Sequence, residues 1–191
     1  MKLIKVVVAV VSMALLGGCS TEKASQPDPE SMATPTTRVP RHIDKSDRPQ
    51  VTFDPCLDIP DSALIEAGYD PQSEANADFT PDSYTFLGCG YDTPQRRYVM
   101  NVLSGNITFA EEQEKKKLHS TPIEINGRRA ILIFDPGVTD ACDLTIETSY
   151  GILGFTRSVF QGNGQHAPEY EWCAGLEDTA RIIEPFIPKG D

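Results

Sequence analysis

Four cysteines, Cys56, Cys89, Cys142 and Cys173, stand far apart along the chain with no Cys-x-x-Cys spacing among them. Whether they constrain the fold depends on compartment, because thiols stay reduced in the cytosol and pair outside it. The N-terminus decides this. Lys2 and Lys5 precede the largely apolar run Val6 to Leu16, which would make only about 16 Å of helix against a hydrocarbon thickness of about 30 Å and so reads as an export signal, residues 1–18, rather than a span. Exported, the four cysteines are expected as two disulfides. Of the three pairings, Cys56–Cys173 with Cys89–Cys142 is favoured: the first two are expected at helix starts near the ends of the folded part, the second two inside strands. Each bridge would close a long loop, stabilising the fold by ~4 to 5 kcal/mol in the chain-entropy model. The histidines, His42, His119 and His166, have no ligand spacing to these thiols, so neither a metal nor a cofactor is expected.

The residues after the apolar run are more specific. Leu16-Gly17-Gly18-Cys19 resembles the lipobox of bacterial lipoproteins, which implies that the Cys19 thiol is acylated and that cleavage leaves Cys19 as the first residue. A diacylglyceryl group inserts two chains at ~0.8 kcal/mol per buried methylene, enough for stable anchoring. The membrane, through that anchor, is the first expected partner, and the outer face of the cytoplasmic membrane the expected location. Loss of Lys2 and Lys5 leaves 15 basic against 28 acidic residues, a net charge of -13. Anionic lipid repels such a body, and nucleic acid is excluded as a partner: the only basic run, Lys115 to Lys117, follows Glu111, Glu112 and Glu114 on what reads as a solvated helix face.

Residues 20–50 hold five Pro, four Ser and four Thr and no aromatic, so 19–50 is expected to be an acylated, disordered tether with an r.m.s. reach of about 30 Å. From Val51 the pattern changes to that of one globular domain, 51–191. A short helix is predicted over 59–68, with Asp58 as cap and Gly68 as left-handed stop. A second is predicted over 109–118, where Thr108 and Glu111 make a capping box and Glu111–Lys115 and Glu112–Lys116 are spaced to pair. A third is predicted over 170–184, with Cys173, Leu176, Ala180 and Ile183 on one face. Strands are predicted at Tyr84–Tyr91 and Arg97–Leu103, at Pro122–Ile125 and Arg128–Phe134 around the turn Asn126-Gly127, and at Cys142–Ser149 and Ile152–Phe160. The fold class is α+β: a twisted, mostly antiparallel sheet of about six strands packed by two to three helices.

These features together carry a family resemblance: Phe53-Asp54-Pro55-Cys56, Ile59-Pro60, Ala67-Gly68, Cys89, Gly127-Arg128-Arg129-Ala130, Cys142 and Trp172-Cys173. The chain resembles the DUF3558 family of actinobacterial cell-envelope lipoproteins, LprB/LprC-like. The resemblance implies an envelope lipoprotein of undetermined role and supplies no catalytic residues.

Nothing in the motifs adds an activity. No Gly-x-Ser-x-Gly elbow, His-Glu-x-x-His, phosphate loop or dinucleotide fingerprint is present, so no catalytic residue is assigned and the chain reads as a non-enzyme. A noncatalytic binding or sensor module is expected, holding an envelope small molecule, lipid or protein partner in a groove beside the sheet. The alternatives are a hydrolase using acids among Asp54, Asp58 and Asp61 or Asp135, Asp140 and Asp143, and a structural envelope-assembly protein. His119 and His166 read as surface residues and Arg128 and Arg129 as members of structural ion pairs. Tyr84, Phe86, Tyr91, Tyr98 and Trp172 read mostly as core.

Overall fold

The computed structural model describes residues 41–81, 83–160 and 166–189, all within the compact unit Val39–Asp191. The signal segment, Cys19, most of the tether and the loop with Gly162 and Gly164 lie outside the described residues. No helix among those described is long and apolar enough to cross a membrane.

Seven strands form one sheet: β1 (Ala75–Asn76), β2 (Phe86–Asp92), β3 (Tyr98–Gly105), β4 (Ser120–Ile125), β5 (Arg128–Ile133), β6 (Ala141–Thr148) and β7 (Gly151–Val159). Their order is β1-β2-β3-β7-β6-β5-β4, with every pairing antiparallel. Two meanders, β1 to β3 and β4 to β7, are thus zipped together along β3 and β7. The segment between them carries helix α3 (Phe109–Lys116); the other helices are α1 (Pro55–Asp58), α2 (Asp61–Glu66) and α4 (Leu176–Ile183). The two-residue β1 makes seven strands where six were predicted. It is too short to show a period of two, and its pairing with Cys89 and Gly90 is supplied by the partner strand.

Local chemistry explains most boundaries. Asn126 and Gly127 adopt φ 48° and 90°, as a two-residue hairpin turn requires. The capping box forms: the Glu111 amide donates to Thr108 Oγ1, and the Glu111 carboxylate accepts from the Thr108 amide. Asp54 caps α1, and the chain re-enters as α2 after Pro60. The helix predicted over 59–68 is therefore the shorter α2, and a separate turn of helix, α1, precedes it, because Ile59 and Pro60 are extended. The helix predicted from 170 starts only at Leu176: Gly175 sits at φ 77° and interrupts it after a single 3-10 turn at Glu169–Glu171.

Alternation splits the sheet into two faces. One face, with Cys89, Tyr91, Met100, Val102, Leu144, Ile146, Leu153 and Phe155, packs against Ala63 and Leu64 of α2 and Leu176, Ala180 and Ile183 of α4. The other gathers Ile131, Ile133 and Ile152 around Phe109 of α3.

All four cysteines are in disulfides, but the favoured pairing is wrong. The bridges are Cys56–Cys89 and Cys142–Cys173, each with Cα atoms 5.2 Å apart. The sheet order gives the reason. Cys89 on β2 and Cys142 on β6 are separated by β3 and β7, three strand spacings or about 14 Å, far beyond the ~7 Å a disulfide tolerates. Each strand cysteine instead joins the helical segment packed above it.

The tether expected through residue 50 is pinned to the domain from Arg41 onward. Arg41 donates to both carboxylate oxygens of buried Asp54, at 2.6 and 2.7 Å. Arg48 clasps both oxygens of Glu111 at 2.9 Å and donates to the carbonyls of Ser83 and Asn106. Asn106 in turn donates to Asp44 and to the Pro49 carbonyl. A polar, proline-containing segment is ordered here by charge-assisted hydrogen bonds and not by a core of its own.

Candidate functional site

Between α3 and its face of the sheet lies a cleft of about 180 Å³, lined by Phe86, Leu103, Ile152, Gly154, Thr145 and Asp143 from the strands and by Glu112 and Lys116 from the helix. The helix is positioned at one end by Phe109, buried among Ile131, Ile133 and Ile152. At the same end Arg48 grips Glu111. Glu112 and Lys116, four residues apart, then look onto the sheet.

Register supplies the floor. Leu103 lies opposite Gly154, and Gly154 opposite Thr145, across three adjacent strands. Glycine at 154 is not demanded by the fold. Its backbone is outside the left-handed region, and an added Cβ would meet nothing closer than Leu103 O at 3.8 Å and Thr145 Oγ1 at 3.9 Å. Gly105 on the same face is different, since a Cβ there would stand 2.1 Å from the Phe86 ring. A glycine inside a central strand forgoes packing and costs about 0.5–1 kcal/mol, and at 154 what it leaves is the space of the cleft.

The electrostatics of the cleft are uneven. Burial pushes the Glu112 carboxyl above its ordinary value of 4.5, and nearby Asp143 adds to this while Lys116 and Lys115 oppose it. Neither predicted i,i+4 pair forms within ion-pair distance: Glu111 is taken by Arg48, and Lys115 lies over the Tyr84 ring at 5.5 Å. A wider hollow of about 450 Å³ beside Ile65, Tyr69 and Pro94 is a weaker candidate. Its acids serve helix ends: Asp61 sits in the first turn of α2, and Asp70 caps the turn at Pro71–Ser73.

The other residues singled out in the sequence are dispersed. Asp54 is held by Arg41 and the Cys56 amide, and Asp58 accepts from the Asp54 amide. Asp135 accepts from the Gly137 amide, while buried Asp140 accepts from the Ala167 amide and faces His166 Nδ1 at 2.5 Å. Of the six acids proposed for hydrolysis only Asp143 reaches the cleft. The His166 hydrogen bond, opposed by burial and helped by the Ala167 amide, holds Asp140 below the ordinary carboxylate value. His119 is exposed, 3.9 Å from Asp135. Arg128 pairs with Glu184 at 2.5 Å and Arg129 with Glu147 at 3.1 Å. Tyr91 and Trp172 are buried, and Phe86 lines the cleft. Sequence reasoning missed Glu112, Lys116, Thr145 and Gly154. The legible signal was Gly154, a lone glycine inside the predicted strand Ile152–Phe160.

Comparison with protein-family models matches residues 14–185 to DUF3558, described as a protein of unknown function. The chain belongs to the DUF3558 family. Comparisons with curated proteins and with solved structures gave no match. The matched span of this DUF3558 chain includes all seven strands, both disulfides and the cleft.

Proposed function

We propose that this DUF3558 protein is a lipid-anchored, extracytoplasmic and noncatalytic binding module whose α3 cleft receives a small envelope ligand. The observation that carries the reading is the vacant floor at Gly154 beneath a half-buried glutamate. The lipobox-like Leu16-Gly17-Gly18-Cys19 and the likeness to actinobacterial LprB/LprC lipoproteins support the anchor and the envelope location. A hydrolase working through Asp135, Asp140 and Asp143 has less support, because the first two carboxylates are engaged in turn and loop hydrogen bonds.

Two measurements test this. Intact mass of the protein recovered from membranes is expected to show a chain beginning at an acylated Cys19; an unmodified Cys19 rejects the anchor. Thermal unfolding of the acylated protein with envelope lipid fractions, wall fragments and small-molecule extracts is expected to show a rise for one fraction, equivalent to about 2.7 kcal/mol at 100 times Kd. That rise disappears in Gly154→Val, which fills the cleft. Absence of any rise, or a rise unchanged in Gly154→Val, rejects the cleft as the binding site.

A further inference from the structure

We infer that the α3 cleft selects a small organic cation, a primary ammonium on a short apolar body. This deepens the binding-module reading and rests on it. Glu112 and Asp143 line one cleft from opposite walls, helix and sheet. Among the described residues neither carboxylate has a hydrogen bond or an ion pair within 4 Å. The partly buried acids elsewhere are matched: Asp54 by Arg41, Glu111 by Arg48, Glu171 by Arg97 and Glu184 by Arg128. Lys116 is the sole basic residue of the lining, so the cleft keeps one net negative charge.

The second observation is independent of the acids. Thr145 is only 3% exposed, lines the cleft and has no hydrogen-bond partner for its hydroxyl among the described residues. That hydroxyl borders the vacancy at Gly154, 3.9 Å from where a Cβ would stand. The residue is buried but its hydroxyl opens on the cleft, so its hydrogen-bond partner has to be a polar group there. Phe86, Leu103 and Ile152 supply apolar walls. The volume, about 180 Å³, is below the roughly 300–1,000 Å³ of drug-sized sites, so the ligand is small. An anion would be repelled by Glu112 and Asp143, and a neutral molecule would leave their charge uncompensated.

The test is an NMR titration of the full acylated protein in neutral detergent with three probes of one carbon skeleton: n-butylamine, n-butanol and butyrate. Butylamine is expected to shift the amide signals of Leu103, Thr145 and Gly154 saturably, roughly tenfold or more tighter than butanol, the factor expected for a hydrogen bond to a charged group. Butyrate is expected to leave them unmoved. Glu112→Gln and Asp143→Asn should each weaken butylamine about tenfold, with a melting temperature no lower than that of the unsubstituted protein showing that the variants are folded. Equal or tighter binding of butanol or butyrate at the same amides overturns the cation while leaving the binding module standing. Butylamine shifts that survive both substitutions also overturn it, since they would report attraction to the protein's overall negative charge. If no probe moves these amides the cation inference fails, and the binding module stands or falls separately on the envelope-fraction test.

Discussion

The sheet face under α2 and α4 carries Cys89, Tyr91, Met100, Leu144, Leu153 and Phe155, each 2% exposed or less, while the face under α3 carries Leu103, Gly154, Thr145 and Asp143 in the cleft beside a small cluster of Ile131, Ile133 and Ile152. Both disulfides join the first face to its overlying helical segments. The second is covered in part by an eight-residue helix held by one phenylalanine, a capping box and Arg48. The same seven strands therefore serve two ends. Large side chains and crosslinks fix the fold on one side, and on the other a smaller apolar cluster sits beside a cleft whose glycine and polar side chains leave room. Stability concentrated on one face lets the opposite face carry a glycine vacancy and unmatched charge without loss of the fold.

The largest effect that would sharpen this contrast comes from the crosslinks. With the paired cysteines 33 and 31 positions apart in sequence, replacing Cys142 and Cys173 together by Ala is expected to cost ~3 to 4 kcal/mol, or about 10 °C in melting temperature. A drop below 3 °C would mean that the inner core does not depend on its staples. Next, Leu144→Ala on the closed face should cost about 3 kcal/mol by leaving a cavity. Leu103→Ala on the open face, where the side chain is half-buried, should cost about 1 kcal/mol. Equal costs by chemical denaturation would erase the distinction between the faces.

A smaller effect separates two adjacent glutamates by pH. The Arg48 guanidinium, with the Thr108 amide and hydroxyl, holds Glu111 well below its ordinary value of 4.5. Its contribution is therefore complete above that value and lost as pH falls through the folded pKa. Arg48→Ala should remove about 1 kcal/mol or less at neutral pH, since the pair is solvent-screened, and should flatten acid destabilisation below pH 4.5. Glu112 has the opposite sign. Its folded pKa is raised by burial, so its ionisation destabilises the fold as pH rises through that pKa, and Glu112→Gln should raise the melting temperature at pH 7 but not at pH 3. Melting curves from pH 3 to 7 check both, and the same sign for the two variants would contradict the geometry of α3. The smallest effect is at the cleft floor. Gly154→Ala should stabilise by about 0.5 kcal/mol, because a mid-strand Cβ is added without a clash; a loss of stability would mean that the floor has no spare room.

Patterns within a few residues of one another were readable. The capping box at Thr108, the Asn126-Gly127 turn, the left-handed stop at Gly68 and the alternation from Cys142 to Thr148, broken at buried Thr145, depend on neighbours in sequence, and each appears in the structure. Features that needed a partner from elsewhere were not readable. The helix readings at 59–68 and 170–184 ignored how an extended Ile59-Pro60 delays the first and a left-handed Gly175 delays the second. Lys115 and Lys116 looked like partners of Glu111 and Glu112 because helix spacing alone cannot see Arg48, which reaches Glu111 from 63 residues away.

The sequence by itself determined the existence of two disulfides, the antiparallel α+β class, the DUF3558 membership and the expectation of an exported, anchored chain, because composition, spacing and local turn chemistry are properties of the linear order. Only the tertiary structure decided which cysteines meet, where the tether becomes part of the domain, and that Glu112, Asp143, Thr145 and Gly154 share a cleft. Those facts follow from strand order and from the face each side chain takes. Strand order is set by the joint burial of both faces, a property no local segment possesses.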